Sequence, residues 1–207
     1  MVASLVVLIS GSGSNLQAII DATLNGVLKG EAAVTHVLSN RKNAYGLERA
    51  AKAGIPTSLH TLLPYKKEYG PEIGRKKYDA ELAEKIIKLQ PSLVVCAGWM
   101  HILSPEVLIP LETNKIGIIN LHPALPGAFN GIHAIERAFE AAQQGKITHT
   151  GAMVHWVIAA VDEGKPIIVQ EVPILSTDSI EALEEKIHAA EHVILVQAIH
   201  QIITDNK

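Results

Sequence analysis

The sequence predicts a three-layer α/β fold, a mainly parallel sheet between helices that ends in an antiparallel C-terminal extension. Three observations carry this expectation. Short β-branched runs alternate with amphipathic helical stretches over most of the chain. Most of these runs are apolar throughout, as in strands covered on both faces. The last two are joined by 159–166, too short for a crossover helix, so they are expected to pair antiparallel.

Taken in order, Leu5–Ile9 forms the first strand and stops at Ser10-Gly11, and helical periodicity follows over Asn15–Leu24. Ala33–Leu38 precedes a helix over Tyr45–Ala53, and a helix over Tyr78–Leu89 leads into the strand Leu93–Ala97. Ile116–Asn120 is followed by a helix over Ile132–Gln144, and Met153–Ile158 and Ile167–Val172 make the hairpin. A final helix, Ser179–Ile203, places Ile180, Leu183, Ile187, Ala190, Ile194 and Ala198 on one stripe. Right-handed crossovers between such strands give a Rossmann-like arrangement. Pro64–Lys77, with Lys66, Lys67, Arg75, Lys76 and Lys77, reads as a solvated connection.

Composition narrows the class. With 207 residues, 48% hydrophobic and 19% charged, the chain is expected to fold as one globular domain. Eighteen basic against 21 acidic residues, net −3, with 4% aromatics, argue against a nucleic-acid coat or a stacking platform. Cys96 is the only cysteine, so neither an internal disulfide nor a cysteine-rich zinc site is available. Its place in an apolar strand also makes it a poor nucleophile. There is no secretory pattern at the start and no apolar run long enough for a membrane span, so a cytoplasmic location is expected.

In a parallel α/β sheet, ligands gather beyond the carboxyl ends of the strands. After the first strand comes Gly11-Ser12-Gly13-Ser14-Asn15-Leu16 at the start of a helix, a place suited to an anion. Leu16 stands where a dinucleotide fingerprint needs its third glycine, and no Gly-Lys-Ser/Thr follows, so a phosphate monoester fits better. The competing reading is a plain glycine turn with Ser14 or Asn15 capping the helix.

Farther along, Asn120-Leu121-His122-Pro123 ends a strand, and alternate residues of a strand share a face. An amide beside an imidazole suits a developing oxyanion. Asp162, in the turn Asp162-Glu163-Gly164, is expected to meet His122, orient its ring and raise its pKa. Without an activated Ser or Cys, the set points to direct transfer onto a substrate nucleophile. Ordinary strand-end and turn roles remain open on these residues alone. His188-Ala-Ala-Glu191-His192 has two histidines on one helix face, but no third metal ligand is indicated and no metal is expected.

Several segments together resemble the phosphoribosylglycinamide formyltransferase family over essentially the whole length. They are Val7–Ile19, Ser39-Asn40 with Gly46–Ala50, Ala97–Ser104, Asn120–Pro123, Gly151 with Val154-His155, Val161–Gly164 and Glu191-His192. The resemblance implies the formyltransferase fold and one domain over 1–207, with a phosphosugar-binding half at about 1–100 and a folate-binding, catalytic half at about 101–207. It implies formyl transfer from 10-formyltetrahydrofolate to the amine of glycinamide ribonucleotide, with no metal, by a monomer or homodimer.

Asn120, His122 and Asp162 match the family's catalytic residues, Gly13, Ser14 and Asn15 its phosphate cradle, and Glu191 its ribose ligand. Met100, His101, Ile102 and Leu103 match one folate wall. Val157, Ile158, Ala159, Ala160 and Val161 match the other, and Gly131, His133 and His155 match supporting positions. His101 stands where the family often has Arg, and the loop 123–127 departs from the usual sequence. Hydrolysis of the formyl donor and catalysis-free phosphosugar binding are the alternatives. Related hydrolases and methionyl-tRNA formylating enzymes bring extra domains, so a monofunctional enzyme is expected.

Overall fold

The computed structural model describes residues 2–205. Its elements are β1 (Ala3–Ile9), α1 (Ser14–Asn25), β2 (Ala32–Ser39), α2 (Gly46–Lys52), β3 (Thr57–Leu59), α3 (Leu62–Tyr69) and α4 (Pro71–Leu89). There follow β4 (Leu93–Cys96), α5 (Pro105–Thr113), β5 (Gly117–His122), α6 (Ala134–Gln143), β6 (His149–Trp156), β7 (Pro166–Pro173) and α7 (Ile180–Asp205). The strands take the order β3-β2-β1-β4-β5-β6-β7, and the chain passes from one compact unit to the next inside β5, between Ile119 and Asn120.

In the first unit, β1 pairs in parallel with β2 and β4, and β2 with β3. Leu5–Ile9 are completely buried, with Leu16, Ile19 and Ile20 of α1 and Leu82 and Ile86 of α4 in the same core. That explains why β1 is apolar at every position from Leu5 to Ile9 rather than at alternate ones. The register sets Ile9 beside Ser39 and Leu8 beside Cys96, so the loops after β1, β2 and β4 leave from one edge. This edge is where ligands of parallel sheets bind.

The expectation for Pro64–Lys77 is corrected: it is helical, not a connection. Gly70, at φ 78°, separates α3 from α4, and Pro71 opens α4 at its first turn. The apolar period was invisible because α3 buries no residue and the start of α4 buries only Gly74 before Tyr78. Gly74 lies against the Tyr65 carbonyl, where any Cβ would collide. Two further elements were not foreseen. β3 has three residues, and α5 carries Pro110 inside it, which reads as a breaker.

In the second unit, β6 is buried almost throughout and pairs antiparallel with β7, Met153 beside Val169. The short link therefore makes the expected hairpin. β7 is an edge strand bounded by Pro166 and Pro173, which carries Glu171 and keeps most of its residues at least partly exposed. These are devices that blunt edge pairing. α7 buries Leu183, Ile187, Ala190, Ile194 and Ala198 of the anticipated stripe and packs on both strands.

Candidate functional site

In the first unit, Gly13 is the cap residue of α1, in the left-handed region at φ 72°, and has no side chain with which to cap the helix. Capping by Ser14 or Asn15 is therefore set aside, and the helix start keeps its anion-attracting dipole end. Sterics fix this turn. A Cβ on Gly13 would lie 2.5 Å from the Gly46 Cα, and the Gly46 amide donates to the Gly11 carbonyl at 3.1 Å. Arg49 braces the turn by donating from Nε to the Ser12 carbonyl at 2.9 Å. Gly46 and Arg49 had no assigned role in the sequence reading, although both lie in a matching segment.

In the second unit, the end of β5, the end of β6 and the loop after β6 bring Asn120, His122, His155 and Asp162 together. The His155 Nδ1 lies 2.9 Å from the Trp156 carbonyl oxygen, which can only accept. Neutral His155 therefore carries its proton on Nδ1 and presents a lone pair at Nε2. The Asn120 Nδ2 lies 3.2 Å from that Nε2 and 3.3 Å from Asp162 Oδ1. Flipping the amide would set its oxygen against a lone pair and a carboxylate, so these neighbours fix its orientation.

Asp162 Oδ2 accepts from the Gly131 amide at 2.8 Å and lies 3.5 Å from His122 Nδ1. Its Oδ1 lies 3.5 Å from His155 Nε2. Burial pushes the Asp162 carboxyl up, but the His155 ring when protonated at the facing Nε2, the Gly131 amide and the His122 ring when protonated hold it below the usual range. The residue sits in the left-handed region, at φ 57°, a strain the tightly packed loop sustains. Gly164 permits that packing, since a Cβ there would overlap the Trp156 carbonyl.

The expected rise in the His122 pKa is corrected. His122 is 4% exposed, and burial lowers its pKa more than Asp162 and the Phe129 and Ala128 carbonyls raise it. Asp162 acts in the anticipated direction, but desolvation of the ring wins. Near neutrality His122 is thus an uncharged imidazole, and its buried Nε2 has no hydrogen-bond partner among the described residues.

The remaining candidates are distributed as follows. Glu191 is buried on α7, and Leu103 is buried while His101 is half-buried. Met100 and Ile102 are 60% and 62% exposed. Val157 is half-buried, and Ile158, Ala159, Ala160 and Val161 are exposed on the loop that leads to Asp162. His133 begins α6 and pairs with Glu136 at 2.9 Å. Cys96 is buried and its thiol is pushed up to about 12. Among the described residues, no three His, Cys, Asp or Glu side chains form a metal-holding group, and no helix is long and apolar enough to cross a membrane.

A strand-end amide and imidazole tied to a half-buried carboxylate, with no activated nucleophile beside them among the described residues, is a site for group transfer. Residues 3–199 match the formyl transferase family model, and the chain belongs to that family. Within it, the chain is 49% identical to phosphoribosylglycinamide formyltransferase of Dictyostelium discoideum, over 99% of this chain and 100% of the relative. The Saccharomyces cerevisiae protein of the same name is 42% identical over 97% of each. Glycinamide ribonucleotide transformylase 1 from Symbiobacterium toebii superposes with a TM-score of 0.85 at 36% identity, over 99% of this chain and 89% of that one. The α/β fold with its antiparallel C-terminal strands is the fold of these enzymes.

Proposed function

We propose that this enzyme moves a formyl group from 10-formyltetrahydrofolate to the amine of glycinamide ribonucleotide in de novo purine biosynthesis, acting in the cytoplasm without a metal as a monomer or homodimer. The observation that carries the reading is the Asn120–His122–His155–Asp162 cluster, in a chain this similar to named phosphoribosylglycinamide formyltransferases along its length. Gly13, Ser14 and Asn15 take the phosphate at the uncapped helix start, and Glu191 takes the ribose hydroxyls. The exposed Met100 and Ile102 give a folate ring apolar surface, and the 157–161 backbone gives its pterin hydrogen-bonding groups.

The anionic Asp162 favours the proton of neutral His122 on Nδ1, which leaves Nε2 as a base. Nε2 takes a proton from the glycinamide nitrogen as that nitrogen bonds to the formyl carbon. Asp162 stabilises the resulting imidazolium, which returns the proton to the folate nitrogen as the old carbon–nitrogen bond breaks. Asn120 steadies the intermediate oxyanion. Its two contacts, at 3.2 and 3.3 Å, are long enough for one amide hydrogen to turn to the substrate at small cost. Gly131 and His155 keep Asp162 and Asn120 in place, and His133 supports the neighbouring loop.

Incubation with both substrates is expected to yield formylglycinamide ribonucleotide. Absence of product at saturating substrate overturns the assignment. Formate release at an equal rate without the ribonucleotide would make the enzyme a hydrolase instead.

A further inference from the structure

Residues 128–133, between β5 and α6, form an irregular loop on which both His122 and Asp162 depend. The Phe129 and Ala128 carbonyls face the His122 ring, and the Gly131 amide donates to Asp162 Oδ2 at 2.8 Å. The loop's own backbone does not account for so fixed an aim. Phe129, Gly131 and His133 all lie in the left-handed region, at φ 51°, 85° and 57°, which is uncommon for residues other than glycine. Among the described residues, 129–132 make no backbone–backbone hydrogen bond.

One side chain supplies what the backbone lacks. Arg137, a turn into α6, donates from Nη1 to the Asn130 carbonyl at 2.9 Å and, more weakly, to the Ile132 carbonyl at 3.4 Å. Its guanidinium carbon also lies 5.6 Å from the centre of the Phe129 ring. Arg137 is exposed, so its charge is screened, and its contacts are two carbonyls and a ring. What it contributes is geometry. The contact with Asn130 matters most. The Asn130–Gly131 peptide is trans, so its C=O and N–H point in opposite directions. Arg137 fixes the oxygen, and the hydrogen is thereby aimed at Asp162. One rigid peptide thus joins a guanidinium to a carboxylate, and a donor on its oxygen strengthens the bond its N–H makes.

We infer that Arg137 is a positioning residue for formyl transfer: it holds the Asn130–Gly131 peptide so that the Gly131 amide keeps Asp162 in place beside His122. The inference rests on the proposed function for the reaction it serves, whereas the brace on Asp162 stands on the geometry. Arg137 acts only through Asp162.

The test is a double-mutant cycle of Arg137→Met with Asp162→Asn, read by steady-state kinetics, together with carbon NMR titration of the Asp162 carboxyl in free Arg137→Met and wild type. Methionine keeps an apolar stem and donates nothing. Alone, Arg137→Met is expected to lower kcat about tenfold, with KM for both substrates within about twofold of wild type. In the Asp162→Asn background the same change should cost less than about twofold, because the carboxylate it serves is gone. The Asp162 carboxyl, faced by the His122 and His155 rings, should titrate higher in Arg137→Met, since the Gly131 donor is no longer held on it. Should Arg137→Met fail to fold, Arg137→Gln carries the same measurements, being polar but too short to reach the loop. An unchanged kcat, a full tenfold loss repeated in the Asp162→Asn background, or an unmoved Asp162 titration overturns the inference. So does a rise in both KM values, the mark of a general loosening. Failure of the wild-type enzyme to form product would instead overturn the proposed function, and the Asp162 titration would still decide whether Arg137 braces the carboxylate.

Discussion

The glycine turn of the first unit and the Asn120–Asp162 cluster of the second are built on opposite principles. At the turn, the groups proposed to bind belong to the backbone, and side chains are kept away: a Cβ on Gly13 would meet the Gly46 backbone, and one on Gly46 the Ile9 side chain. In the cluster, the functional groups are side chains, and the backbone serves them through the Gly131 amide and the Trp156 carbonyl. Recognition of a phosphate needs only oriented N–H groups, which any helix start supplies. Moving a proton needs groups whose ionisation is adjusted, which only side chains in chosen surroundings provide. Damage to the turn should therefore register in folding and binding, and damage to the cluster in turnover.

The largest effect is expected from His122→Ala. The variant should keep its fold and bind glycinamide ribonucleotide, yet lose on the order of a hundredfold or more in kcat. Calorimetric titration beside single-turnover rates would show this, and an equal loss of nucleotide binding would break the division of labour. Next comes Gly13→Ala. The added methyl meets Gly46 and the backbone is left-handed, so about 1–3 kcal/mol of stability should disappear and KM for the ribonucleotide should rise. A denaturant melt identical to wild type would show that the close approach is slack.

Asp162→Asn tests the electrostatics. Asp162 raises the His122 pKa against burial, so removing its charge lets that pKa fall further. With neutral His122 as the proposed base, the acid limb of kcat/KM against pH should move to lower pH, on top of a reduced plateau. A limb that moves up would invert the proposed coupling. The smallest effect concerns Cys96, whose thiol is buried and pushed up to about 12. Thiol reagents near neutral pH should leave the native enzyme unmodified and fully active, reacting only on unfolding. Rapid labelling of the native state would contradict that burial.

Much of this was readable in the amino acids, and the exceptions share a cause. β1, β2 and β4, α1 and α7 were found within a few residues because their burial repeats with the period of the element. α3 and the first turns of α4 were not, because they bury almost nothing and so leave charge as their only visible signal. α5 was hidden by Pro110, and β3 by its length. At the site, Asn120, His122 and Asp162 were named from their places at strand ends and in a turn. His155 had only a supporting place, because its task depends on a carbonyl and an amide that the chain brings to it from 156 and 120.

The sequence alone determined the elements whose burial is periodic and which side chains are present, because burial periodicity, glycine placement and residue chemistry are local properties that need no partner. Only the tertiary structure decided the protonation of those groups and the aim of their donors. Whether His122 is charged turns on how far its ring is dried against how near Asp162 stands, and the direction of the Asn120 amide turns on which nitrogen of His155 holds the proton. Both are balances between groups far apart in the chain, settled by distances of a few ångströms that folding sets.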